Sequence, residues 1–244
     1  MKWQLWKPSY LRIARSFGFS EESEETARLR GSSAASSLPC ILRGSDALNA
    51  ISDAVRGRCL VTGNAPSLEA ELSSIMEMPS FGRPAIVASD SSCETLRTLS
   101  LLPDVIVTDA DGNLKVEREM NEAGSLLVLH FHGDNIERAS AFAGELQGRV
   151  VVTTQAGPAP GTFNFGGFTD GDRAVLLCEE FGSTEIMLAG FDFNSVAERG
   201  REGELKRRKL EFAREIIGGA VKRGAPVVYP KGMGEREAGN PGRP

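Results

Sequence analysis

PDVIVTDADG, residues 103–112, decides the reading of this chain. Val105, Ile106 and Val107 form a short β-branched run, which predicts a strand buried on both faces, as in a parallel sheet. That run delivers two carboxylates, Asp109 and Asp111, at its carboxyl end, where open α/β sheets place their active sites. Hard oxygen ligands at such a position suit Mg²⁺. An isolated D-x-D also fits a strand that ends in an Asp-rich turn, where Asp and Gly satisfy local backbone geometry. The surrounding sequence has to decide between the two.

On both sides of this stretch, apolar β-branched runs alternate with helical segments. Strands are expected at 59–62, 85–89, 105–108, 126–130, 150–153, 186–189 and 226–229. The clearest helix is expected over 204–222, where Leu210, Ala213, Ile217 and Ala220 make one apolar stripe and Lys206, Arg207, Arg208 and Lys209 fill the remaining surface. Such alternation predicts an α/β fold, a mostly parallel Rossmann-like sheet with helices on both faces. Before it, residues 1–55 read as a small N-terminal helical segment. Trp6, Tyr10, Ile13 and Phe17 share a helical face, the Ser-rich GSSAASSLP at 31–39 reads as a loop, and a second helix is expected near 46–55. The catalytic α/β domain is then 56–231, and 232–244, rich in Gly, Pro and charge, reads as a mobile tail.

Polar residues gather at the strand ends. The first strand runs into Gly63, Asn64, Ala65, Pro66 and Ser67, a turn that places backbone N–H groups at a helix N-terminus, an arrangement suited to anions. It lacks both the G-x-G-x-x-G fingerprint and the Walker loop, so an ordinary strand-to-helix turn fits it too. The second strand ends in Ser89, Asp90, Ser91 and Ser92, suited to capping or to ligand contact. The fourth ends in HFHGDN, which contains both histidines of the chain, His130 and His132, followed by Asp134 and Asn135. The fifth closes with Thr153, Thr154 and Gln155, and leads to NFGGFTDGDRA at 164–174. There Asn164, Asp170, Asp172 and Arg173 accompany glycines that let backbone approach a ligand. The sixth ends in GFDF, with Asp192 between two aromatics that either wall a flat ring or pack. So many acids beside glycine, with few fixed cations, suit a metal-bound polyphosphate, since carboxylates alone would repel ATP.

Composition sets the outer bounds. With 244 residues, 41% of them apolar and 25% charged, the chain can bury a large core. A net charge of -5 argues against bulk nucleic-acid or anionic-lipid binding. Four dispersed cysteines suggest neither a zinc site nor a disulfide framework. No segment reaches the roughly 20 apolar residues of a membrane helix, and the start lacks a signal peptide's apolar core, so a cytoplasmic protein without membrane attachment is expected.

GNAPSL, PDVIVTDADG, HFHGDN, TTQ, NFGGFTDGDRA and AGFDF together resemble the archaeal-type 6-hydroxymethyl-7,8-dihydropterin pyrophosphokinases. That family is itself similar to the catalytic domain of thiamine pyrophosphokinase. The resemblance implies transfer of the β,γ-diphosphate of ATP to the hydroxymethyl oxygen of a reduced pterin, with release of AMP, in folate or methanopterin synthesis. It implies Mg²⁺ held by Asp109 and Asp111, with Asp134 or Asp172 completing the site. His132 would hydrogen-bond a phosphate or receive the alcohol proton, and Arg173 would stabilise charge on the transferred group. Gly63, Asn64, Pro66 and Ser67, together with Asp90 and Asp170, would contact nucleotide or phosphate, while Gln155, Asn164 and Asp192 would read polar edges of the pterin. A homodimer is compatible with this reading. The chain departs from the expected pattern in having Ala110 between the two acids and Asn64 in the first turn; neither change removes a charged ligand.

Three alternatives stand beside this one. A thiamine-type diphosphokinase would use another alcohol. A glycosyltransferase would employ the D-x-D on a sugar nucleotide, although the flagellin-modifying factors with similar domains are typically much larger. A non-enzymatic nucleotide-binding module would share the architecture without the chemistry.

Overall fold

The computed structural model describes residues 3–77, 82–194 and 200–229. The expected tail, 232–244, lies outside them. The described chain runs α1 (Trp3–Phe17), α2 (Glu21–Ser37), α3 (Gly44–Ala54), β1 (Arg58–Thr62), α4 (Leu68–Met76), β2 (Ala85–Ser89), a 3₁₀ turn (Asp90–Ser92), α5 (Cys93–Thr98), β3 (Val105–Thr108), α6 (Leu114–Glu122), β4 (Leu126–Phe131), α7 (Ile136–Glu145), β5 (Val150–Thr154), α8 (Asp170–Glu180), β6 (Glu185–Ala189), α9 (Gly200–Lys222) and β7 (Val227–Val228). All seven expected strands are present. The first, fourth, fifth and sixth are one residue longer than the apolar run that marks them, and the last is shortened to its two valines.

The sheet order is β5-β4-β3-β2-β1-β6-β7, with every neighbouring pair parallel. Winding runs outward from β1 to β5 and then returns to the other side of β1, so the topological switch lies between β1 and β6. Side-chain alternation gives each strand two apolar faces. Val61, Val87, Val107, Val128 and Val151 turn to α3, α8 and α9, burying Ile51, Val55, Val175, Leu177 and Ile217 with them. On the opposite face Leu60, Ile86 and Ile106 meet α4, α5 and α6, while Leu127, Leu129 and Val152 meet α2 and α7. At ~1.5–3 kcal/mol for each fully buried aliphatic side chain, these two layers hold the sheet between its helices.

The amino-terminal helices belong to this core. Trp6 and Ile13 of the predicted stripe are buried against Phe168, Leu176 and Ile216. Leu42 N–H donates to Val150 O and Val150 N–H to Cys40 O, tying the segment before α3 to the edge strand β5.

One expectation is overturned. The Ser-rich stretch at 31–39, read as a loop, is mostly the last two turns of α2. Two features accompany the helix there. Ser36 and Ser37 hydroxyls donate to the carbonyls of Ser32 and Ser33, one turn back, so the serines are accommodated within the helix. Ala27, Gly31 and Ala35, spaced by four, form a flat stripe that lies against the sheet. A Cβ on Gly31 would sit 3.3 Å from Val152 and Thr154 and 3.4 Å from Phe131, so the close approach depends on small residues.

Candidate active site

The carboxyl ends of β2 and β3 and the start of α8 converge on one acidic centre. Asp90, Asp109, Asp111 and Asp170 each offer a carboxylate oxygen, and these atoms all lie within 4.8 Å of one another. Asp109 and Asp111 leave β3 on either side of Ala110, a buried residue held at φ 63°. That left-handed conformation is costly for a residue with a Cβ. It is secured by the Ala110 N–H donating to the Thr108 hydroxyl at 2.8 Å, and the bend turns both flanking acids toward the same side. Asp90 enters from the 3₁₀ turn after β2, where its Oδ1 accepts from the Ser91 N–H and its buried Oδ2 has no partner. Asp170 comes from the first turn of α8, which crosses behind β1, β2 and β3.

Electrostatics divides the four acids. Burial, then repulsion from Asp170, Asp111 and Asp109, pushes the Asp90 carboxyl up to about 10. Asp170 is likewise driven well above the ordinary range, first by burial and then by Asp109. Burial alone would raise Asp109 too, but the His132 hydrogen bond and the Arg173 charge hold it well below that range. Beneath the loop Glu117, fully buried in α6, is pushed up to about 7 by burial, with the Thr108 hydroxyl opposing. Burial and mutual repulsion thus suppress the anionic forms of Asp90 and Asp170. Four hard oxygen donors, with a buried unpaired oxygen on both Asp90 and Asp109, make a set that can hold a metal ion.

Two cationic or proton-bearing groups border the acids. Arg173 reaches Asp170 at 2.9 Å and Gln155 Oε1 at 2.9 Å, and lies 4.0 Å from Asp109. His132 Nδ1 accepts from the Asp134 N–H at 3.2 Å, which leaves the hydrogen on Nε2, 3.3 Å from Asp109. His130 is different. It is fully buried, its Nδ1 pairs with the Thr153 hydroxyl at 2.9 Å, and burial followed by Arg173 keeps the ring neutral.

A cavity of about 340 Å³ opens beside the acids, between the junction of α1 and α2 and the ends of β3 and β4. Phe17, Phe19 and Phe168 wall one side, Asp109, His132 and Arg173 line its inner end, and Glu24 of α2 contributes a carboxylate.

The sequence-predicted residues sort clearly in space. Asp109, Asp111, Asp170, Asp90, His132, Arg173 and Gln155 come together. Asp172 does not join the acids: it accepts from the Phe168 and Thr169 N–H groups and from the Thr169 hydroxyl, so its oxygens are engaged at the start of α8. Asp134 is exposed and stands outside the four-acid group, although it lines the cavity. Asn164 spends its amide on the carbonyls of Thr154, Gln155 and Ala156 and its oxygen on Gly166 N–H, fixing the loop rather than facing the cavity. Asp192 lies outside both acid group and cavity lining, and the flanking Phe191 and Phe193 pack in the core. Gly63 and Gly190 interlock where β1 and β6 part: a Cβ on Gly63 would come 2.5 Å from Gly190 O. Asn64 and Pro66 are exposed beside this contact, and Ser67 carries a buried hydroxyl with no partner at the start of α4.

Sequence reasoning missed two participants. Asn135 Nδ2 donates to Asp109 O at 2.7 Å and His130 O at 2.8 Å, while its Oδ1 accepts from His132 N–H, stitching the β3 loop to the β4 loop. Asn135 was visible as the polar residue that ends HFHGDN, but nothing in the sequence tied it to the loop after β3. Glu24 gave no local signal, because it lies in an ordinary acidic first turn of a helix.

Fold and site together define a doubly wound α/β protein whose acidic, metal-competent centre lies at the carboxyl edge of its parallel sheet, next to an aromatic-walled cavity. The family model described as "6-hydroxymethylpterin diphosphokinase MptE-like" matches residues 32–197, and the chain belongs to that family. Among curated relatives, the 6-hydroxymethyl-7,8-dihydropterin pyrophosphokinase of Pyrococcus furiosus is 35% identical over 228 residues, covering 89% of this chain and 93% of the relative. The proteins of the same name from Methanothermobacter thermautotrophicus and Methanocaldococcus jannaschii are 34% and 30% identical, covering 89% and 87% of this chain and 94% and 92% of theirs. No described helix is long and apolar enough to cross a membrane.

Proposed function

We propose that this protein transfers the β,γ-diphosphate of ATP to the hydroxymethyl oxygen of 6-hydroxymethyl-7,8-dihydropterin and releases AMP. The observation that carries the reading is the four-acid centre whose Asp109 also lines an aromatic-walled cavity, in a chain of the hydroxymethylpterin diphosphokinase family. Asp90, Asp109, Asp111 and Asp170 would hold Mg²⁺. When bound, the ion neutralises the phosphates and stabilises charge that develops on the transferred group.

The remaining work falls to the protein's own groups. Arg173, fixed by Asp170 and Gln155, presents guanidinium charge at the inner end of the cavity, where the transferred phosphates would lie. His132, with its hydrogen on Nε2 and its Nδ1 already bonded to backbone, acts as a donor that orients Asp109 or a phosphate oxygen; its receiving the alcohol proton is disfavoured in this tautomer. Loose phosphoryl-type transition states need positioning and charge more than a strong base. The Gly63–Ser67 turn, with the unpaired Ser67 hydroxyl at the start of α4, is suited to the nucleotide's phosphates.

Incubating the protein with ATP, Mg²⁺ and either the dihydropterin or thiamine tests reaction and acceptor together. AMP with a diphosphorylated pterin is the expected outcome. ADP, a diphosphorylated thiamine alone, or no acceptor-dependent turnover would refute the reading.

A further inference from the structure

Two carboxylates of the cavity lining stand outside the acidic centre, the exposed Asp134 and the buried Glu24; Glu24 is the one that carries an unmet demand. It is 4% exposed, its Oε1 accepts from the Gly133 N–H at 3.2 Å, and its Oε2 is buried without a partner. A buried carboxylate oxygen without a donor is costly, so its persistence at a cavity wall points to a donor supplied from outside. The neighbouring wall is aromatic. Phe17 lies 4.9 Å from Phe168 and 5.9 Å from Phe19, centroid to centroid, and all three rings border the same space.

We propose that Glu24 is the specificity-determining residue for the acceptor, receiving the 2-amino and N3–H groups of the pterin while Phe17, Phe19 and Phe168 cover its ring. The assignment rests on the diphosphate-transfer reading above. Hydrogen-bonding pattern selects the occupant. A pterin presents two adjacent donors on its pyrimidine edge, which a carboxylate can accept side by side. Adenine presents a donor next to an acceptor, and that acceptor would oppose a carboxylate lone pair. Seated on Glu24, the heterocycle has its reacting arm free to extend toward Asp109, His132 and Arg173, which line the same cavity. Rejection follows equally: a ring carrying a 2-oxo group in place of the 2-amino group brings an oxygen against the carboxylate.

Glu24→Gln tests this, because the amide keeps the size of the side chain and an oxygen for Gly133. Initial rates are measured with 6-hydroxymethyl-7,8-dihydropterin and with its 2-oxo (lumazine) analogue, varying acceptor and ATP separately. The variant is expected to raise KM for the pterin roughly 10- to 100-fold. KM for ATP should stay within about twofold and the ratio of lumazine to pterin use should rise, since the amide can donate to the 2-oxo group. Unchanged pterin KM and unchanged preference would overturn the assignment, as would a shift in KM for ATP alone. If the wild-type protein transfers no diphosphate, the function proposed above fails first. Fluorescence titration with oxidised 6-hydroxymethylpterin then decides separately: weaker binding to the variant upholds the role of Glu24, and equal binding overturns it.

Discussion

Replacing Asp90 by Asn should stabilise the empty protein while impairing it as a metal site. Asp90 has an ordinary carboxyl value of 3.8 that burial and three neighbouring acids push up to about 10. At pH 7 the unfolded chain ionises this group and the folded, empty site keeps it protonated. A group raised in this way contributes its full stability below about pH 4 and loses it as pH climbs toward 10. The mismatch at pH 7 corresponds to at most ~4 kcal/mol, and because Asp170, Asp111 and Asp109 share the repulsion, one substitution should recover about 2 kcal/mol. Asn preserves the acceptor for the Ser91 N–H and has no charge to suppress. For a chain of this size that gain is roughly 4–8 °C in Tm. Thermal melts in EDTA from pH 4 to pH 8.5 would show the two proteins converging at the acid end and separating as pH rises. With Mg²⁺ added the order should tighten or reverse, since the wild type gains a ligand that the variant binds more weakly. A variant that is less stable than wild type at pH 8 in EDTA, or that gains as much from Mg²⁺, would refute the description of this centre as repulsive carboxylates awaiting a cation.

Asp109→Asn and Asp111→Asn should each lower turnover by at least about 100-fold with the circular dichroism spectrum unchanged, measured as AMP formed from ATP and dihydropterin. Binding of Mg²⁺ by the wild type, followed calorimetrically, should tighten from pH 6 to pH 8.5 and release protons, because Asp90 and Asp170 must ionise to become ligands. Asn135→Ala removes two donors and an acceptor from a residue that is 1% exposed, and urea unfolding should register a loss of about 2–4 kcal/mol together with reduced turnover. Gly31→Leu should destabilise by about 1–3 kcal/mol in the same measurement, since even a Cβ there lies 3.3 Å from Val152 and Thr154.

The parallel sheet was legible because its strands are short β-branched runs separated by helical lengths, a pattern that few other architectures satisfy. The acidic centre was half legible. Asp109 and Asp111 share one strand end, so chain proximity revealed them, whereas Asp90 and Asp170 reach them only through the order of the strands and the path of α8 across the sheet. Asp172 drew attention as part of TDGD, but which of two acids two residues apart faces the site depends on where the helix begins. With Thr169 as the N-cap, Asp172 turns back onto the backbone and Asp170 projects forward. The Ser-rich end of α2 misled for a related reason. Serine favours loops on local grounds, and only packing against β4 and β5 makes small side chains an advantage in a helix.

The family match spans 32–197, which takes in all four acids, His132 and Arg173, but Phe17, Phe19 and Glu24 precede it. The cavity is therefore assembled from two separate stretches: the loops at the carboxyl edge of the sheet, which carry the acids, and an amino-terminal helical hairpin that shapes the opposite wall. Substitutions in the hairpin would reshape that wall without disturbing the acids, much as a tool keeps its handle while the bit is changed.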